Sequence, residues 1–115
     1  IKDYPFKDMT VRIQYIYGLS GKDLRTIVDD HKKEIGSSAV FTFSECDSKL
    51  NIAVGITNEL TSNLDASFFA KEISKFLNGK GGGGRKDFAQ AGGEPPSNLK
   101  IVDDFVLELV ERKIN

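Results

Sequence analysis

The chain has 115 residues, 39% of them hydrophobic and 29% charged, with a net charge of −1; this composition excludes disorder and suffices for one domain with a single ordinary core. Its apolar runs are only a few residues long, which excludes a membrane-spanning helix, and Ile1-Lys2-Asp3-Tyr4-Pro5 lacks the layout of a signal peptide. The single cysteine, Cys46, excludes an internal disulfide and fits a reducing compartment, and the lack of an initial Met suggests a segment of something longer.

Met9, Val11, Ile13, Tyr15 and Tyr17 alternate with Thr10, Arg12 and Gln14, the pattern of a half-buried first strand broken by Gly18. Ser20 followed by Asp23 resembles a capping box. Leu24, Ile27, Val28 and Ile35 then recur on one helical face, with His31 on or beside the stripe and Gly36 as the stop. Ala39 to Phe43 reads as a strand, Glu45-Cys46-Asp47-Ser48 as a tight turn, and Leu50, Ile52, Val54 and Ile56 as one face of a second strand in an antiparallel hairpin. After a polar connection from Thr57 to Asn63, a second helix is expected from Asp65, its N-cap, to Asn78, burying Phe69, Ile73, Phe76 and Leu77. Gly79 to Gly93 reads as a loop with seven glycines. Pro95-Pro96-Ser97 announces a third helix, capped by Ser97 or Asn98, with Leu99, Val102, Val106, Leu109 and Val110 inward.

The predicted order is β-α-β-β-α-glycine-rich loop-α, an α/β (α+β) fold with a mixed sheet of about four strands flanked by helices. The crossover helix requires a parallel neighbour and the hairpin an antiparallel one. Positive charge concentrates between Lys71 and Lys86, where Lys71, Lys75, Lys80, Arg85 and Lys86 face only Glu72. Inside this segment four consecutive glycines, Gly81 to Gly84, are costly to order. Glycines between Lys80 and Arg85-Lys86 suit a ligand that approaches the backbone and carries negative charge, such as a phosphate. Phe88 and Gln90 offer a stacking ring and an amide. A flexible surface loop with solubilising charges is the plainer reading of the same composition. A Walker-type loop does not fit, because Lys80 precedes the glycines and no Ser or Thr follows it; a dinucleotide fingerprint does not fit the first strand end either.

The stretch from Gly79-Lys80 through Gly81–Gly84, Arg85, Lys86, Asp87 and Phe88-Ala89-Gln90-Ala91-Gly92-Gly93 resembles the G-K-G-G-G-R-P-D-x-A-Q-x-G-G signature of the C-terminal globular domain of alanyl-tRNA synthetases. Lys86 stands where Pro is frequent, and the glycine run is one residue longer than in many members. The resemblance implies that residues 1–115 are one tRNA-binding C-terminal domain of a longer chain. It implies a mixed sheet with flanking helices and a module that holds tRNA for aminoacylation and editing performed elsewhere. The contacts it carries over are Lys80, Gly81, Gly82, Gly83, Gly84, Arg85 and Gln90; Lys75 and Lys86 join by proximity, and Phe88 as a ring to stack on an exposed base or to pack in the core. The implied partners are tRNA(Ala) and the other domains of the parent chain, with a homodimer as an option and no membrane; the implied location is cytoplasmic. No cofactor is implied here, since ATP, magnesium and zinc belong to other parts of the parent, a ligase. Related readings are the tail of a free-standing alanyl-tRNA editing protein, the accessory domain of a DHH-type phosphoesterase, or a structural or dimerisation module. Phosphoesterases of that type carry His where Arg85 stands, which favours the synthetase branch.

Outside this segment little suggests chemistry. His31 and Cys46 lie on separate elements without ligand spacing, and His31 reads as a core or boundary residue. The pairs Asp29-Asp30 and Asp103-Asp104 read as solvated surface.

Overall fold

The computed structural model describes residues 1–114. Six strands form one mixed sheet: β1 (Lys2–Phe6), β2 (Met9–Tyr17), β3 (Ser38–Cys46), β4 (Lys49–Ile56), β5 (Gly81–Gly84) and β6 (Phe88–Gly93). Three helices cover it, α1 (Gly21–Ile35), α2 (Ala66–Phe76) and α3 (Leu99–Ile114), and a short 3-10 turn at Asn58–Leu60 lies in the connection after β4. The order across the sheet is β1-β2-β3-β4-β6-β5. Only β2 and β3 run parallel, joined through α1, as the crossover requires. The β3–β4 hairpin turns at Asp47 and Ser48, both with positive φ, which a two-residue turn of matching twist demands.

Alternation along each central strand splits the apolar side chains between two faces. Val11, Ile13, Phe41, Phe43, Ile52 and Val54 pack on one side beneath Phe69 and Ile73 of α2 and Val102, Val106 and Val110 of α3. Val40, Ala53 and Phe88 meet Leu24 and Val28 of α1 on the other. Helices thus cover both faces. Asp65 caps α2 as expected, accepting from the Ser67 amide at 2.9 Å. Asn98 rather than Ser97 caps α3, accepting from the Lys100 amide at 2.9 Å.

Several expectations are corrected. Six strands replace about four, because β1 and the β5–β6 pair join the sheet. Residues 81–84 are an edge strand rather than a loop, paired with β6 from Gly81↔Gly92 to Gly84↔Ala89. Arg12, on the polar face of β2, is buried because α1 lies over that face. Ser20 donates to the Asp23 carboxylate at 3.0 Å and caps no helix amide. Phe76 and Leu99 are partly exposed, Phe76 stacking on Phe105 at 4.1 Å along the outer seam of α2 and α3. Asp103 is buried and bound to Lys2 at 2.8 Å, which ties β1 to α3. His31 is buried as expected, with Nδ1 accepting from Arg12 at 2.9 Å and Nε2 facing the Gln14 oxygen at 2.6 Å.

Candidate functional site

Strand β5 forms because a serine on α2 organises it. Ser74 is fully buried, and its hydroxyl donates to the Gly92 carbonyl at 2.6 Å while accepting from the Gly81 amide at 2.9 Å. Its own carbonyl accepts from the Gly79 amide at 2.7 Å. One residue therefore fixes the start of β5 against the end of β6. The hairpin closes at the other end through Lys86-Asp87, with the Arg85 amide donating to the Phe88 carbonyl at 2.8 Å.

The four glycines are not equivalent. A Cβ on Gly82 would overlap the Gln90 carbonyl and come within 2.5 Å of Ala91 Cα; on Gly84 it would lie 2.5 Å from the Phe88 carbonyl. Gly81 and Gly84 also have positive φ. Gly81, Gly82 and Gly84 thus have structural reasons to be glycine, which the sequence pattern did not suggest. Gly83 has none: its φ is not positive, and a Cβ there would meet nothing within 4 Å. Bonded and non-bonded pairs alternate along an antiparallel ladder. Counted from the Arg85–Phe88 pair, Gly82 and Gly84 direct their N–H and C=O groups outward, away from β6. The result is an exposed strand edge with no side chain over it.

Positive charge brackets this edge. Lys80 precedes it, Arg85 and Lys86 follow it, and all three are exposed. On α2, Lys71 and Lys75 border a shallow groove of about 390 Å³ that runs down to Gly79–Gly82. Two of these cations have acidic neighbours, Lys75 at 3.6 Å from Glu72 and Arg85 at 3.2 Å from Asp87. Both pairs are largely solvent-exposed and weak enough for a ligand anion to displace.

The remaining site residues fall differently. Gln90 donates to the Gly21 carbonyl at 2.6 Å, so its amide nitrogen joins β6 to the start of α1. Phe88 is 7% exposed and packed in the α1-side core, which leaves no ring face for a base. Over that ring lies Arg25 of α1, its guanidinium carbon 4.8 Å from the centroid. Arg25 lies 63 positions upstream of Phe88 in the sequence, and no spacing signal connects them. Among the described residues no three His, Cys, Asp or Glu side chains converge as metal ligands.

Residues 8–112 match the family model of the DHHA1 domain. Alanine–tRNA ligase from Jannaschia sp. (strain CCS1) is 45% identical over 87 residues, covering 76% of this chain and 10% of that protein. The enzyme of the same name from Haemophilus influenzae (strain PittGG) is 37% identical over 102 residues, covering 85% of this chain and 12% of that one. The chain thus spans about a tenth of the length of the curated relatives it matches. Among solved structures, the C-Ala domain from Aquifex aeolicus alanyl-tRNA synthetase superposes with a TM-score of 0.84 at 28% identity, covering 94% of this chain and 96% of that one.

Proposed function

The chain belongs to the DHHA1 domain family, and from that premise we propose that it is the C-terminal tRNA-holding domain of an alanine–tRNA ligase, without chemistry of its own. The observation that carries this reading is the bare, outward-facing edge of Gly81–Gly84 bracketed by Lys80, Arg85 and Lys86. Outward amides with adjacent cations suit phosphate oxygens, and the outward carbonyls between them suit ribose hydroxyl donors, a pairing that RNA offers and DNA lacks. The groove beside Lys71 and Lys75 extends the path of a phosphate backbone over α2. The names of the relatives support the parent enzyme, and Arg85 in place of His supports the synthetase branch over the phosphoesterase one. The tRNA partner, the cytoplasmic setting and the support of editing all belong to this proposal.

The test is binding of the chain to folded tRNA(Ala) and to an unstructured RNA of equal length across a salt series. A variant carrying Lys80→Ala, Arg85→Ala and Lys86→Ala is measured alongside. Tighter binding to the folded tRNA, with a salt slope lowered by about 2 in the variant, is the expected outcome. Equal, feeble binding to both RNAs, untouched by the substitutions, overturns it in favour of a structural or dimerisation module.

A further inference from the structure

We propose that Arg25, held over the Phe88 ring, is a platform on which an unpaired base of the bound RNA stacks; this rests on the RNA-holding reading above. Phe88 cannot itself receive a base, because it is buried between β6 and α1. The guanidinium above it is a planar cation held 4.8 Å from the ring centroid. An arginine already attracted to an aromatic ring gives up less freedom when a second plane is added on its outer side than one extended into solvent. About half of the Arg25 side chain (52%) remains exposed, and among the described residues its one acidic partner, Asp29, stands at the 4.0 Å limit of an ion pair. The outer face of the guanidinium is therefore not claimed by the protein.

The surroundings match what a splayed nucleotide needs. Phe88 and Gln90 both project from β6 towards α1, as their contacts with Leu24 and with the Gly21 carbonyl show. Gly83 stands opposite Gln90 in the ladder, at the rim of the sheet, with open space beside its Cα. The Gln90 amide nitrogen is occupied by Gly21, but its oxygen has no partner in the protein and is not sealed from solvent. A nucleotide whose phosphate lies along β5 would pass over Gly83 with its base between Arg25 and the Gln90 oxygen, an acceptor for an exocyclic amino group. The absence of a side chain at Gly83, which nothing in the fold requires, leaves that passage clear. Recognition of RNA by bases splayed onto guanidinium planes is the general mode for single-stranded elements of folded RNA.

The test uses Arg25→Lys, which keeps the charge on an exposed side chain and removes the plane. The chain and this variant are titrated with folded tRNA(Ala) transcripts in which the unpaired bases are replaced, one at a time, by abasic residues. Arg25→Lys is expected to bind the intact transcript about tenfold more weakly, within the range set by loss of one stacked base. Its salt slope stays unchanged. One abasic replacement weakens the unsubstituted chain by a similar factor and does not weaken Arg25→Lys further, the non-additivity that marks direct contact. Unsubstituted affinity in Arg25→Lys overturns the platform, as does a loss that adds fully to every abasic replacement, and either result leaves the RNA-holding reading standing. Failure of the unsubstituted chain to bind the intact transcript overturns both.

Discussion

The glycine run separates into a structural and a functional part when each residue is tested for what a methyl group would meet. Gly82→Ala forces a Cβ into the backbone of β6 and is expected to cost about 1–3 kcal/mol, the range for overpacking a fitted contact. Gly83→Ala has room and a permissive φ, so its stability is expected to hold or rise by up to about 1 kcal/mol. In the tRNA titration the same variant is expected to bind less tightly, which separates the two roles in one pair of proteins. Ser74→Ala leaves the Gly92 carbonyl and the Gly81 amide without their partner and should cost about 2 kcal/mol; hydrogen exchange at Gly81 reports the opening of β5 directly. In the opposite direction, Thr42 carries a buried hydroxyl with no partner, so Thr42→Val is expected to raise stability by about 1 kcal/mol in urea unfolding. Of the site residues read from the sequence, Lys80 and the glycines stand where a ligand can reach them. Phe88 is taken up by packing, and the Gln90 amide nitrogen by α1. The difference is tertiary: only the fold places α1 over that end of β6, and no local spacing encodes it.

Elements with a clear period were legible, and those without one were not. The alternation from Met9 to Tyr17, the hairpin of β3 and β4, and the stripes of the three helices correspond to observed elements because burial on one face selects such patterns. Strand β1 escaped because Pro5 interrupts it, and a strand containing proline is tolerated only at an edge, where β1 lies. Strand β5 has no side chains and hence no pattern at all. It is a strand by virtue of β6 and Ser74, so its order depends on α2 being in place. Asp65→Ala, which removes the α2 cap, is expected to cost about 1 kcal/mol in unfolding measurements. It should also weaken protection of the β5 amides, linking the helix cap to the candidate site.

At the scale of the whole molecule, the far side from the glycine edge is tied together by ions. Arg12 under α1 binds Asp3 of β1 at 2.7 and 2.8 Å and Glu34 of α1 at 3.2 Å, and it donates to His31. Since an arginine only donates, His31 Nδ1 must accept, which keeps the ring neutral with its proton on Nε2. Burial and the neighbouring Arg12 charge hold the His31 pKa below its ordinary 6.5, against the opposing pull of Glu34, Asp3 and Asp30. The folded state then binds fewer protons than the unfolded one between that lowered value and 6.5. The contribution of His31 to stability is complete above 6.5 and is lost as pH falls through the lowered value. The urea midpoint is expected to fall between pH 7 and 5.5, and to fall less in His31→Gln. The bonds from Arg12 likewise lower the Asp3 pKa, so that contribution survives to more acid conditions than His31's. The opposite margin of the sheet carries a different hazard. A strand made only of glycine presents unpaired backbone groups with no side chain to keep another molecule's strand away, and such edges template aggregation. The flanking Lys80, Arg85 and Lys86 stand where they would oppose such pairing between identical copies. A chain stripped of those three charges should self-associate more than the unsubstituted chain in light scattering as its concentration rises.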